Sequence, residues 1–147
     1  MRPSSLSNAA LAITLAFVTT ACGRKADPIP RPRVEPQAPR VRFLNLRTLE
    51  VVLPDKDIRG GRLEGVEKVR LLYLPVGSAR PLPAEVVSRG EVVLEQRRPD
   101  LPAPGKIVHL DLRDLDRPPG WIVVVAVRVG DVTGLPCDPL PWLDRRF

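Results

Sequence analysis

The stretch WIVVVAVRV, residues 121–129, decides the fold of this chain. Its branched Val and Ile side chains favour extended backbone, and alternate residues of a strand point to opposite faces of a sheet. Both faces are apolar here, because Val123 and Val125 alternate with Ile122 and Val124. A strand that is apolar on both faces needs cover on both sides. We therefore predict a central β-strand, the most buried element of the molecule, in which the chain neighbours of Val125 provide no counter-charge.

The rest of the chain after residue 40 repeats short apolar runs between clusters of Pro, Gly and Asp. Six further strands are predicted, at residues 41–46, 49–53, 66–76, 85–87, 92–94 and 106–112. No window after residue 21 repeats apolar residues at helical spacing over three turns. Seven short strands in about 105 residues predict an all-β fold, a β-sandwich. The Gly- and Asp-rich residues 54–65 are predicted to form an exposed, mobile loop.

Length and composition bound the class of protein. The chain has 147 residues, of which 44% are apolar and 27% are charged. This fits one modest folded domain rather than a disordered chain. With two Cys and one His, the chain is neither a disulfide-stapled miniprotein nor a multidomain enzyme, and its apolar segments do not indicate a polytopic membrane protein.

Residues 1–21 have the pattern of a secretory signal. Arg2 precedes an apolar run at residues 9–18, which is too short to cross a bilayer, where about 20 residues are needed. Small residues then lead to Cys22, an order that resembles the bacterial lipoprotein box. That resemblance implies a diacylglycerol on the Cys22 thiol and cleavage before it. The alternative is an ordinary signal peptide with Cys22 as a bystander. Gly23, where inner-membrane lipoproteins of the enterobacterial type carry Asp, implies the outer membrane, facing the periplasm.

Residues 22–39 are predicted to be a tether to a folded domain at residues 40–147. Five prolines remove amide donors and favour polyproline II, with plain disorder as the alternative. Between Arg24 and Arg47 stand seven Lys or Arg and two acidic residues, whereas residues 48–147 carry equal numbers of each. A nucleic-acid binder would place its basic residues on the folded face, so we expect no nucleic acid. A basic tether suits anionic lipid head groups, or serves solubility alone.

A family resemblance becomes visible at this point. The order is CGRKADPIP, a basic Pro-rich spacer, then FLNLR, LEVVLP, VEKVRLLYL, KIVHLDL and WIVVVAVRVGDVTGLPCDP. It resembles Gram-negative lipoproteins that carry a single fibronectin type III-like domain, which implies an immunoglobulin-like sandwich. Two positions depart from that family: Leu53 ends the second strand, where a core Trp is usual, and Trp121 or Val123 stands where the sixth strand has a Tyr. The CG-x-K start also resembles a very small lipoprotein that assists assembly of the lipopolysaccharide translocon.

The residues offer little catalytic chemistry. His109 is the only histidine, and with one spare cysteine it does not make a standard zinc site. A G-x-S-x-G motif is absent from the sequence, and residues 60–65 lack the Lys-Ser/Thr of a phosphate loop. Asp55 and Asp57 are close in sequence but are not followed by a calcium-loop pattern. We predict no catalytic residue, no metal site and no cofactor, and we interpret His109 as a surface residue of its strand.

Cys137 stands apart, because a lipidated Cys22 leaves it without a partner in the chain. Odd thiols in an oxidising compartment suggest an intermolecular disulfide or a redox-sensitive contact. The alternative is a buried residue that behaves as a small hydrophobe.

These observations predict a lipid-anchored periplasmic protein that acts by binding an envelope protein, as an interaction or scaffold module and not as an enzyme. One alternative is a glycan- or peptidoglycan-binding module, which exposed aromatic side chains in a groove would favour. Its candidates are Tyr73, Trp121 and Trp142. A second is a hydrolase, which a deep pocket lined by His109 and carboxylates would favour. A third is an assembly factor for lipopolysaccharide transport.

Overall fold

The computed structural model describes residues 34–77 and 79–143. The predicted signal, Cys22 and most of the predicted tether lie outside these residues. The described part contains eight strands and one helix: β1 Arg40–Asn45, β2 Thr48–Val52, β3 Lys68–Pro75, α1 Pro83–Arg89, β4 Glu91–Arg97, β5 Ile107–Asp111, β6 Gly120–Arg128, β7 Val132–Thr133 and β8 Leu140–Trp142.

The strands form two antiparallel sheets that pack together. One has the order β1-β2-β5, and the other has the order β4-β3-β6-β7, with β8 also paired to β6. The all-β sandwich predicted from the sequence is therefore confirmed.

Strand β6 is the centre of the larger sheet, as its sequence predicts. It lies between β3 on one side and β7 and β8 on the other. The six residues 122–127 are each at most 1% exposed. In the smaller sheet, Val108 and Leu110 of β5 are buried while Ile107, His109 and Asp111 are exposed, so the predicted alternation of this strand is also confirmed.

The neighbours of Val125 differ from the prediction. Register places Arg70 opposite Val125 and Lys68 opposite Val127, so these cations share the face of the valines. The Lys68 Nζ lies 2.5 Å from the Asp131 carboxylate, and the Arg70 Nε lies 2.7 Å from Glu95. The expectation of no counter-charge was therefore wrong, because it considered positions along one strand and not across to the next. The alkyl stems of such side chains cover apolar surface while their charged heads reach partners.

A short helix replaces one predicted strand. Residues 85–87 lie within α1, because a run of only three residues, Glu-Val-Val, does not distinguish a strand from a helical turn. Pro83 suits the first turn, Glu85 is in that turn and Arg89 is in the last. The Arg89 guanidinium lies 2.5 Å from the Glu85 carboxylate, a helix-stabilising i,i+4 pair. Val86 is fully buried and anchors the helix.

Most residues of the loop at residues 54–65 are exposed, as predicted, but a few are buried. Leu63 is buried, and the Asp57 Oδ1 accepts hydrogen bonds from the backbone N–H groups of Arg59 and Gly61, at 2.8 and 2.9 Å. This carboxylate therefore holds a turn, as Asp side chains often do.

The last residues of the predicted tether pack against the sandwich. The N–H of Gln37 donates to the Lys56 carbonyl at 3.0 Å, and the N–H of Leu135 donates to the Pro36 carbonyl at 2.9 Å. Pro36 is buried, and a Cβ at Gly134 would meet it at 2.7 Å. The packed part of the chain thus includes residues 34–39, which precede the predicted start at residue 40.

Candidate functional site

The two ends of β6 separate two regions of the sandwich. The Arg128 end adjoins the turn into β7. After that turn the chain runs back along β6, because the Gly134 N–H donates to the Ala126 carbonyl and the Cys137 N–H donates to the Val124 carbonyl. Leu135, whose N–H donates to the Pro36 carbonyl, therefore lies beside the middle of β6, and Trp121 lies near the other end, roughly 14 Å from residue 125 at about 3.4 Å per strand residue.

A cleft opens beside Trp121 at that second end. Its volume is about 460 Å³. Residues 74–77 and 79–81, at the end of β3 and in the segment after it, form one wall, and Glu85 and Arg89 of α1 form another. Ligand sites of small molecules span about 300–1,000 Å³ and combine apolar walls with a few polar groups, which this cleft does.

Arg80 is held against Trp121 by two contacts. Its guanidinium carbon lies 5.8 Å from the centroid of the Trp121 ring, a cation–π distance. Its Nη2 donates to the Pro139 carbonyl at 3.1 Å. Among residues 34–77 and 79–143, no carboxylate lies within ion-pair distance of Arg80. The cleft therefore holds a positioned cation whose described contacts are a ring and a carbonyl.

The other two aromatic candidates from the sequence lie in the core. Tyr73 is buried and its hydroxyl donates to the Pro118 carbonyl at 2.9 Å; burial raises the pKa of this hydroxyl, against the opposing effect of Arg117. Trp142 is 4% exposed, and its indole N–H donates to the Arg117 carbonyl at 3.0 Å. Of the three candidates, Trp121 is the one that lines the cleft.

His109 lies on the outward face of the smaller sheet. Its Nε2 is 3.8 Å from Glu50, whose other carboxylate oxygen accepts a hydrogen bond from the Arg42 Nε at 2.7 Å. The hydrogen bond from Arg42 is the largest of the effects that lower the pKa of Glu50. This places His109 in a cross-strand row of polar side chains on β1, β2 and β5, where Glu50 faces both partners. A row of this kind stabilises strand pairing.

Neither Asp57 of the acidic pair named from the sequence nor the strand residue Asp111 belongs to a metal cluster in the described residues. Asp57 is engaged in its turn, and Asp111 receives the Arg113 guanidinium at 2.5 Å. Within the described residues, no group of three or more His, Cys, Asp or Glu is placed to hold a metal ion.

Cys137 lies in the segment that leads to β8 and is 6% exposed. Its Sγ accepts a hydrogen bond from the Val124 N–H at 3.2 Å, and its thiol donates to the Asp138 carbonyl at 3.3 Å. Burial raises the pKa of this thiol to about 11. The thiolate is the reactive form, so this environment favours the buried-residue alternative over a redox or intermolecular contact.

Sequence reasoning found Trp121 but missed the residues that surround it. Arg80 and Arg89 stand in a stretch that alternates charge with Pro and Ala, a pattern that carries no ligand signal of its own. Pro81 and Pro83 were the only signal in the sequence for the shape of this wall, because prolines at these positions indicate a sharp change of chain direction.

Comparison with known proteins does not assign this chain to a family. No protein-family model matches this chain, and no curated protein or solved structure is significantly similar to it. In the part of the chain that the structure covers, no helix has the length and apolar character needed to cross a membrane.

Proposed function

We propose that this protein is a lipid-anchored module of the bacterial cell envelope that binds a partner in the Trp121 cleft and catalyses no reaction. The anchor is a diacylglycerol on Cys22, and the address is the periplasmic side of the outer membrane. Cys22 is outside the described residues, so the anchor rests on the sequence pattern at residues 1–23.

One observation carries the proposal: residues 34–39 pack beside the middle of β6, and the cleft near its first residues is left open. The Leu135 N–H donates to the Pro36 carbonyl, whereas Trp121 is the second residue of β6. Residues 22–33 in polyproline II would extend roughly 40 Å at about 3.1 Å per residue. A tether of that length would let the domain reach a partner in the periplasm.

The division of strands supports the fibronectin type III-like resemblance. Immunoglobulin-like sandwiches place the first, second and fifth strands on one sheet and the third and sixth on the other. Here β1, β2 and β5 are on one sheet, and β3 and β6 are on the other. The fourth strand departs from that arrangement, because β4 pairs with β3 rather than joining the first sheet. Domains of this architecture commonly bind partners through loops at one end.

The position of His109 supports the non-catalytic reading. Its ring is 3.8 Å from Glu50 on an outward sheet face, whereas a Ser-His-Asp site needs a hydrogen-bonded serine beside the histidine. The hydrolase alternative is accordingly the weakest. The lipopolysaccharide-assembly alternative rests on residues 22–30 alone.

A second candidate function, glycan binding, is favoured by the half-buried Trp121 in the cleft. Exposed aromatic side chains in a groove favour glycan binding, and Trp121 is one partly exposed ring at the wall of this cleft. Glycan binding shares the site and the anchor of the first proposal and differs in the ligand.

Photo-crosslinking in intact cells tests the site. A photoreactive residue at Val76, which lines the cleft and is 60% exposed, is compared with one at Ile107, which is 51% exposed on the smaller sheet. We expect one discrete adduct from position 76 and a weaker or different pattern from position 107. Identical adducts at both positions, or an adduct at 107 alone, would contradict the assignment of the cleft.

A further inference from the structure

We propose that the Trp121 cleft holds an acidic sugar, with the sugar carboxylate on the Arg80 guanidinium and its hydroxyls on Glu85 and Arg89. The inference rests on the proposed function, because it names the ligand class of the same cleft.

Arg80 is the reason to expect a carboxylate on the ligand. The Trp121 ring and the Pro139 carbonyl hold its guanidinium in place. A guanidinium has five N–H groups, and the contact with Pro139 uses one of them. Its planar edge matches a carboxylate through two parallel hydrogen bonds. Because the side chain is already ordered, it loses little conformational entropy when a ligand binds.

Glu85 and Arg89 supply the reason for a sugar. They form an ion pair at 2.5 Å and both line the cleft, so an acceptor and a donor lie side by side. A sugar hydroxyl both donates and accepts hydrogen bonds and fits such a pair. A peptide with several carboxylates would meet the negative charge of Glu85, so one acid group among many hydroxyls suits the cleft better.

The walls supply room and an apolar surface. Leu74, Pro75 and Pro81 line the cleft with the Trp121 side chain. The C–H face of a sugar ring packs on such a surface while its polar edge faces the charged groups. A volume of about 460 Å³ falls within the range of small-ligand sites.

A matched pair of sugars tests the inference on the full-length protein in detergent micelles. Methyl β-glucuronide and methyl β-glucoside differ by one carboxylate, and binding is followed by indole fluorescence, to which the buried Trp142 contributes a constant background. We expect the glucuronide to bind about tenfold tighter or better, since two charge-assisted hydrogen bonds distinguish the ligands.

Variants localise the effect. Arg80→Gln should reduce the affinity for the glucuronide to that for the glucoside, and Arg80→Lys should restore part of it. Arg113→Gln is the control, because Arg113 is exposed, pairs with Asp111 and lies outside the cleft lining. It should leave both affinities unchanged, and thermal melts of all variants check that they fold.

Three results would overturn the inference. Equal affinity for both sugars, unaffected by Arg80→Gln, rejects the carboxylate while the cleft remains a glycan site. Tighter binding of tri-glutamate than of the glucuronide replaces the sugar with an acidic peptide. If neither sugar binds but the photo-crosslinked adduct at position 76 persists, the acidic-sugar inference is rejected and the proposed function stands. If neither sugar binds and position 76 gives no adduct, the inference and the proposed function are both rejected.

Discussion

Aspartate substitutions at two adjacent positions of β6 test how the sheet is built. Val124 and Val125 are both essentially unexposed, but they face opposite sides. Val124 is paired with Leu71, on the face of Val69 and Ala126, whereas Val125 is opposite Arg70. We therefore expect Val124→Asp to destabilise the fold considerably more than Val125→Asp.

The magnitudes follow from two effects. Each substitution removes a buried valine, at about 2 kcal/mol. At position 124 the carboxyl group must become neutral to remain buried, and protonating an Asp at pH 7 costs about 4 kcal/mol, given an ordinary pKa near 3.9. The resulting loss of about 6 kcal/mol equals much of the stability of a small domain, about 5–15 kcal/mol. At position 125 the carboxylate stays ionised beside the Arg70 guanidinium, so the total loss should be about 3 kcal/mol.

Urea denaturation of the non-lipidated chain 23–147 at pH 7 measures both free energies of unfolding. Val124→Ala and Val125→Ala serve as size controls. Adding Arg70→Met should cost at least about 1 kcal/mol more in the Val125→Asp background than alone, and should be additive with Val124→Asp. Equal losses for the two aspartate variants, or a larger loss at position 125, would refute the assignment of faces.

Four further expectations concern other parts of the molecule. Cys22→Ser should abolish acylation and leave unprocessed precursor, which is checked by metabolic labelling with palmitate and by the size of the protein. Labelled, processed protein from that variant would contradict the predicted lipidation of Cys22. Removing residues 34–39 should lower the free energy of unfolding by about 1–2 kcal/mol, since it breaks backbone hydrogen bonds to the sandwich and removes the buried Pro36. An unchanged urea midpoint would show that this packing does not stabilise the domain. The pKa of Glu50 is lowered by Arg42, so the contribution of this carboxylate to stability is present above pH 4.5 and is lost as the pH falls through the lowered value. Glu50→Gln should therefore reduce the loss of stability at acid pH, and an unchanged dependence of stability on pH would contradict this. The Cys137 thiol should react with a disulfide reagent only after unfolding, because burial keeps it protonated; rapid labelling of the native protein, with Cys137→Ser as the blank, would argue for the redox contact instead.

Local sequence patterns predicted much of the fold. Strands β6 and β5 were predicted because burial on two faces or on one is visible as a continuous or an alternating apolar run. Strands β7 and β8 were missed, since two or three residues carry no period. They form because the turn with Gly130 and Asp131, both at positive φ, sends the chain back along β6. The run at residues 85–87 was misassigned because its surroundings, Pro83 and the Glu85–Arg89 pair, decide between helix and strand.

The sequence by itself determined the all-β class and the central strand, because each follows from the pattern of consecutive residues; the signal and the tether stay predictions from the same kind of pattern. Only the tertiary structure decided which groups meet. Arg80 lies over Trp121, and Arg70 faces Val125, because antiparallel pairing and the return of the chain after β3 bring distant residues together. The same holds for Pro36 beside Leu135. The spacing of residues along a strand indicates on which face of the sheet a side chain lies. Its neighbours across the sheet depend on the pairing register, which is set by the packing of the whole core.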